Sequence, residues 1–131
     1  MRVALCAATY RRPDGLRQLL EAAGKLQVPP DVTVEVVIVD NSPDAAAAAQ
    51  VASAEAVLPW ALHYVSERRR GITYARNAAL QQAARLDCDF VAFIDDDEMP
   101  APGWIGALLA AQRRSGATAI VGAVEPLLPP G

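Results

Sequence analysis

Short apolar runs of strand length alternate along this chain with stretches whose apolar residues recur at helical spacing. Val3 to Thr9 is the first run, closed by Tyr10-Arg11-Arg12-Pro13. Proline suits the first turn of a helix and Asp14 adds negative charge near its N-terminus. Leu16, Leu19, Leu20, Ala23 and Leu26 then mark one helical face, before Pro29-Pro30 breaks the pattern. Val32 to Val39 is rich in β-branched residues, and Val36-Val37-Ile38-Val39 is continuously apolar, as expected of an interior parallel strand covered on both faces. It ends at Asp40-Asn41-Ser42-Pro43-Asp44, a loop of turn formers, and the alanine-rich stretch from Ala45 to Val57 reads as a helix.

The alternation continues with a strand over Trp60–Val65, a loop over Glu67–Gly71 and a helix from Ile72 to about Leu86. A fourth strand follows over Phe90–Ile94, then a helix from Trp104 that Gly116 ends, and a last strand over Ala119–Val124. Strands and helices in this order predict an α/β fold: a Rossmann-like, mostly parallel open sheet with helices on both faces. In such a sheet ligands bind outside the carboxyl ends of the strands. The polar clusters fall at those ends: Thr9-Tyr10-Arg11, then Asp40-Asn41, then Asp95-Asp96-Asp97-Glu98. Arg76 lies about a turn into the third helix.

Composition narrows the possibilities. The 131 residues suit one domain, and a hydrophobic content of 53% argues for a packed core. A net charge of -3 provides no general field for nucleic acid, and Arg68-Arg69-Arg70 reads as a solvated charge run. No apolar stretch reaches the roughly 20 residues of a membrane span, and the first residues lack the apolar core of a signal peptide. The two cysteines, Cys6 and Cys88, read as free thiols, and the expected compartment is cytoplasmic. His63 reads as a packing residue and Trp104 as an anchor for its helix.

Four acids directly behind an apolar strand repel one another, so the pattern calls for a cation. Neither Gly-x-Gly-x-x-Gly nor a P-loop is present to hold phosphate through backbone amides. A divalent cation on Asp95 and Asp97, helped by arginines, is the substitute. Oxygen ligands suit Mg2+ or Mn2+, and no His/Cys cluster suggests zinc. The blander readings are a solvated acidic loop, an Asx-turn at Asp40, edge packing by Tyr10 and a solvated helix face at Arg76.

Four segments taken together carry a family resemblance. They are Ala8-Thr9-Tyr10-Arg11-Arg12-Pro13, Val37-Ile38-Val39-Asp40-Asn41-Ser42, Arg70-Gly71-Ile72-Thr73-Tyr74-Ala75-Arg76-Asn77-Ala78-Ala79, and Phe93-Ile94-Asp95-Asp96-Asp97-Glu98 with Pro102-Gly103-Trp104 behind it. In order and spacing the chain resembles the N-terminal half of family 2 glycosyltransferases of the GT-A fold. The resemblance implies a nucleoside-diphosphate-sugar site for residues 1–131, with a UDP-sugar favoured and the acceptor unknown. Thr9, Tyr10, Arg11, Asp40, Arg76, Asp95 and Asp96 would bind the nucleotide, with Tyr10 and Asp40 facing the base. Asp95-Asp96-Asp97 matches the family's Asp-x-Asp element. In the preferred register Asp97 ligates the metal with help from Asp95, while Asp95 or Asp96 holds the ribose or a water on the metal; the triple acid leaves that register open by one residue.

The resemblance also implies inversion at the anomeric carbon, with the general base in an acceptor half beyond Gly131. Glu125 falls too soon after the last strand to match it. The expectation is therefore a donor-binding part, truncated before the acceptor half. The alternative is a non-catalytic nucleotide-binding module. An aspartyl-phosphate phosphatase would place its Asp-x-Asp after the first strand, where Thr9-Tyr10-Arg11 stands. A nucleotidyltransferase would need a glycine-rich loop there, and no glycine precedes Asp14.

Overall fold

The computed structural model describes residues 1–116, so the strand expected over Ala119–Val124, and Glu125, lie outside the described residues. Four strands alternate with four helices: β1 (Arg2–Thr9), α1 (Pro13–Ala23), β2 (Thr33–Asp40), α2 (Ala48–Glu55), β3 (Ala61–Ser66), α3 (Ile72–Arg85), β4 (Phe90–Phe93) and α4 (Trp104–Ser115). All strand pairs are parallel, and the sheet order is β3-β2-β1-β4. The chain steps outward from β1 to β3, then crosses back to lay β4 on the other side of β1. Connections on the two sides of β1 thus run in opposite directions, which opens a crevice at the carboxyl ends of β1 and β4.

Strand alternation divides the core into two layers. Val3, Leu5 and Ala7 of β1 and Val34, Val36 and Ile38 of β2 face a layer that includes Leu16 and Leu19 of α1, Val51 of α2 and Ile105 of α4. Ala4, Cys6, Val37 and Val39 point the other way, onto Ala75, Ala79 and Ala83 of α3. Those alanines recur every fourth residue on one helical face, and their small side chains let α3 lie close to the sheet. The sheet is therefore covered on both faces, which explains the uninterrupted apolar run in β2.

Three local differences from the sequence reading have physical causes. α2 begins at Ala48, not Ala45, because side chains from the preceding loop capture the amides just before it: Ala46 N donates to Ser42 Oγ at 2.9 Å and Ala47 N to Asp40 Oδ2 at 2.9 Å. β3 begins at Ala61 because Trp60 turns its indole to donate to the Ala23 carbonyl at 2.8 Å, tying the strand's start to the end of α1. β4 ends at Phe93, and Ile94 makes one more bond to the Cys6 carbonyl, at 3.0 Å, before the chain turns. As expected, Trp104 packs against the core and Gly116 closes α4 in a left-handed conformation (φ 62°). Among the described residues no helix is long and apolar enough to cross a membrane.

Candidate functional site

A cleft of about 500 Å³ opens at the β1/β4 crevice, between the acid turn, the end of β1 and the N-terminal half of α3. Its wall includes Thr9, Tyr10, Arg76, Asp95, Asp96 and Asp97 from the expected set. Strand alternation sorts the groups at its rim. Thr9 continues the Val3-Leu5-Ala7 row toward α1, so Tyr10 is free to turn toward α3. After β4, the turn brings Asp96 to the α1 side, against Gly15.

Asp96 is 8% exposed and accepts from Thr9 Oγ1 at 3.2 Å and from Arg12 Nη1 at 3.3 Å. It thereby ties the end of β1 to the loop after β4. α1 closes this corner tightly: a methyl group added at Gly15 would lie 2.7 Å from the Asp96 carbonyl oxygen, so only glycine allows the approach. The acid turn is closed again by Glu98, whose amide donates to the Asp95 carbonyl at 3.0 Å and whose carboxylate accepts from Asp95 N at 2.9 Å.

With Asp96 turned inward, Asp95 and Asp97 are left exposed, and Glu98 is half-buried beside them. One carboxylate oxygen from each lies within 4.8 Å of the others. Three carboxylates at this separation repel one another unless a cation sits among them, and an all-oxygen set fits a hard divalent ion. The nearest protein cation is Arg12, whose Nη1 is 3.9 Å from Asp97 Oδ2.

Two expected nucleotide residues are elsewhere. Asp40 is completely buried and its carboxylate is fully engaged. Oδ1 accepts from Ser42 N at 3.0 Å and Ser42 Oγ at 2.7 Å; Oδ2 accepts from Ala47 N at 2.9 Å and Tyr64 Oη at 2.7 Å. Burial pushes this carboxyl up, but the hydrogen bonds from Ser42, Ala47 and Tyr64 together outweigh it and hold the pKa below its usual value. Burial and the Asp40 bond in turn push the Tyr64 phenol up to about 12. Asp40 therefore organises the entry to α2 in place of facing a base. Arg11 is also outside the cleft wall: its Nη2 is paired to Asp44 at 3.1 Å, and its guanidinium carbon lies 5.5 Å from the Tyr10 ring centre.

The residues after each take their places in the cleft wall, Asn41 beside Asp40 and Arg12 beside Arg11. Asn41 Nδ2 donates to the Glu67 and Arg69 carbonyls at 2.7 and 2.8 Å, and Oδ1 accepts from Gly71 N at 3.0 Å. That clamp holds the loop before α3, where Gly71 adopts φ 138°, a backbone conformation suited to glycine. Arg70 rides on this loop into the cleft wall, with its guanidinium carbon 3.4 Å from the centre of the Tyr10 ring. The arginine run is therefore only partly a solvated face.

A model described as glycosyl transferase family 2 matches residues 5–126. The chain belongs to this family. It is 34% identical over 117 residues to the succinoglycan biosynthesis protein ExoM of Rhizobium meliloti (strain 1021), covering 89% of this chain and 37% of ExoM. The mannosyltransferase PcManGT from Pyrobaculum calidifontis, solved in complex with GDP-Man and Mn2+, superposes with a TM-score of 0.73 at 26% identity, over 84% of this chain and 32% of that one. S. aureus TarS 1-349 in complex with UDP gives 0.72 at 21% identity, over 97% and 38% of the two chains. The sheet is that of the GT-A glycosyltransferases. The chain spans little more than a third of ExoM's length.

Proposed function

We propose that this chain supplies the donor site of a metal-dependent, inverting glycosyltransferase that takes a nucleoside-diphosphate sugar, a UDP-sugar first, in the cleft between β1 and β4. The observation that carries the reading is the grouping of three carboxylates, Asp95, Asp97 and Glu98, of which Asp95 and Asp97 line the cleft with Tyr10, Arg70 and Arg76. An aromatic ring, unpaired arginines and a hard-cation site are the partners that a base, a diphosphate and its counter-ion require. PcManGT with GDP-Man and Mn2+, and TarS with UDP, support the ligand class.

Asp95 and Asp97, with Glu98, would hold Mn2+ or Mg2+; the bound ion would supply Lewis-acid neutralisation of the departing diphosphate. The remaining work falls to protein groups. Tyr10 offers a ring face to the base and Arg76 a positive contact to the diphosphate. Asp96 takes no ligand in this reading: held by Thr9 and Arg12, it fixes the turn from which its neighbours project. Inversion requires the acceptor hydroxyl to attack from the side opposite the diphosphate, hence away from the acid turn. We place the general base for that hydroxyl in an acceptor part of a longer enzyme, working in the cytoplasm.

Calorimetric titration of UDP and GDP into the chain tests the reading. At least one nucleotide is expected to bind about tenfold tighter in Mn2+ than in chelator, equivalent to ~1.4 kcal/mol. Equal affinity in the two buffers would remove the metal from the account.

A further inference from the structure

The cations around the cleft are not equivalent. Arg11 is paired with Asp44, Arg12 with Asp96, and Arg69 with Glu67 at 2.6 Å. Among the described residues, Arg70 and Arg76 line the cleft with no carboxylate in salt-bridge range. Arg76 lies 5.9 Å from the Phe93 ring centre, a distant contact. Arg70 instead lies 3.4 Å from the centre of the Tyr10 ring. It covers a face of Tyr10, the ring that the proposed function gives to the base.

We infer that Arg70 is a specificity-determining residue that makes the donor site select a nucleoside diphosphate over the bare nucleoside. The inference rests on the nucleotide reading of this cleft. A base can reach that face of Tyr10 only by displacing the guanidinium. A nucleoside offers Arg70 nothing in exchange, so the lost cation–π contact counts against its binding. A diphosphate offers anionic oxygens, and charge-assisted hydrogen bonds to them are stronger than an exposed cation–π contact. The diphosphate thus draws Arg70 off the ring and the base takes the vacated face.

The surrounding geometry suits this exchange. The Asn41 amide fixes the backbone on both sides of Arg70, through the Arg69 carbonyl and the Gly71 amide. The exposed side chain can therefore swing without the loop having to reorganise. Arg70 is local to this cleft and acts on the ligand directly, which gives its removal a signature unlike that of a structural residue.

The test compares wild type with Arg70→Ala for two ligand pairs in Mn2+ buffer: UDP with uridine, and GDP with guanosine. Binding is followed by amide chemical shifts, which also register weak affinities. For the pair that binds, the diphosphate is expected to weaken about tenfold as its charge-assisted bonds are lost. The nucleoside is expected to tighten about threefold as the ring face is uncovered. Both affinities moving in one direction, or neither moving, overturns the role of Arg70 while leaving the nucleotide site standing. Wild-type protein that takes up none of the four ligands overturns both.

Discussion

Asp40→Ala is expected to destabilise the protein by about 3–4 kcal/mol, because it leaves buried donors without an acceptor. Asp40 is 0% exposed and receives bonds from Ser42, Ala47 and Tyr64. Urea denaturation measures the loss as a lower midpoint at unchanged slope. Asp40→Asn should fall between wild type and alanine, since one amide oxygen can still accept but the nitrogen cannot receive from Ala47 and Tyr64. The pH dependence follows from the lowered pKa of the native carboxyl. The unfolded chain takes up its proton first as pH falls, so the Asp40 contribution is complete above the unfolded carboxylate range of about 4. It is lost as pH drops through the lower native value. The Asn variant should therefore show a flatter acid limb. A carboxylate that faced a nucleobase would behave oppositely: its removal would weaken nucleotide binding and leave the unfolding midpoint in place.

The second large effect separates two adjacent acids. The Asp97 side chain is 66% exposed and that of Asp96 10%. Asp97→Ala is expected to abolish the Mn2+-dependent gain in UDP or GDP affinity, while stability stays within about 0.5 kcal/mol as for other exposed substitutions. Asp96→Ala removes the acceptor for Thr9 and Arg12 and should cost about 1–3 kcal/mol of stability. Calorimetry in Mn2+ and in chelator, paired with urea denaturation of each variant, reads both quantities. If Asp96→Ala removed the metal dependence at wild-type stability and Asp97→Ala did not, the acid cluster would be in the wrong register.

The place of Asp40 was legible in the sequence once strand parity is followed to the end of β2. Val36, Ile38 and Asp40 share one face of β2, so Asp40 had to continue toward the α1/α2 layer, and Asn41 was the residue free to turn to the cleft. Asp95, Asp96 and Asp97 lie in the turn after β4, where no strand period assigns a side chain to a face. The βαβ order, both core layers and the gathering of Thr9, Tyr10, Arg76 and the acids on one rim followed from apolar periodicity, a strong signal because burial enforces it.

Arg12 and Arg70 were not legible in this way. Both lie in loops, where no period assigns a side chain to a face. Arg11 and Arg12 are chemically identical in sequence, yet one pairs with Asp44 and the other with Asp96. Their difference begins in the left-handed backbone at Arg11 (φ 50°), which a non-glycine residue seldom adopts and its sequence does not announce. Arg70 depends on a clamp supplied by Asn41, a contact that only the pairing of β2 with β3 creates.

The central claim is that a divalent cation and a nucleoside diphosphate meet at the end of β4. Paramagnetic broadening by Mn2+ locates the ion directly. In the presence of UDP or GDP, substoichiometric Mn2+ is predicted to broaden the amide resonances of Asp95 to Glu98 first, followed by those of Tyr10 to Arg12, with Asp97→Ala erasing the effect. Broadening centred on another acidic group, such as Asp31 or Glu35 at the opposite end of the sheet, would contradict the account.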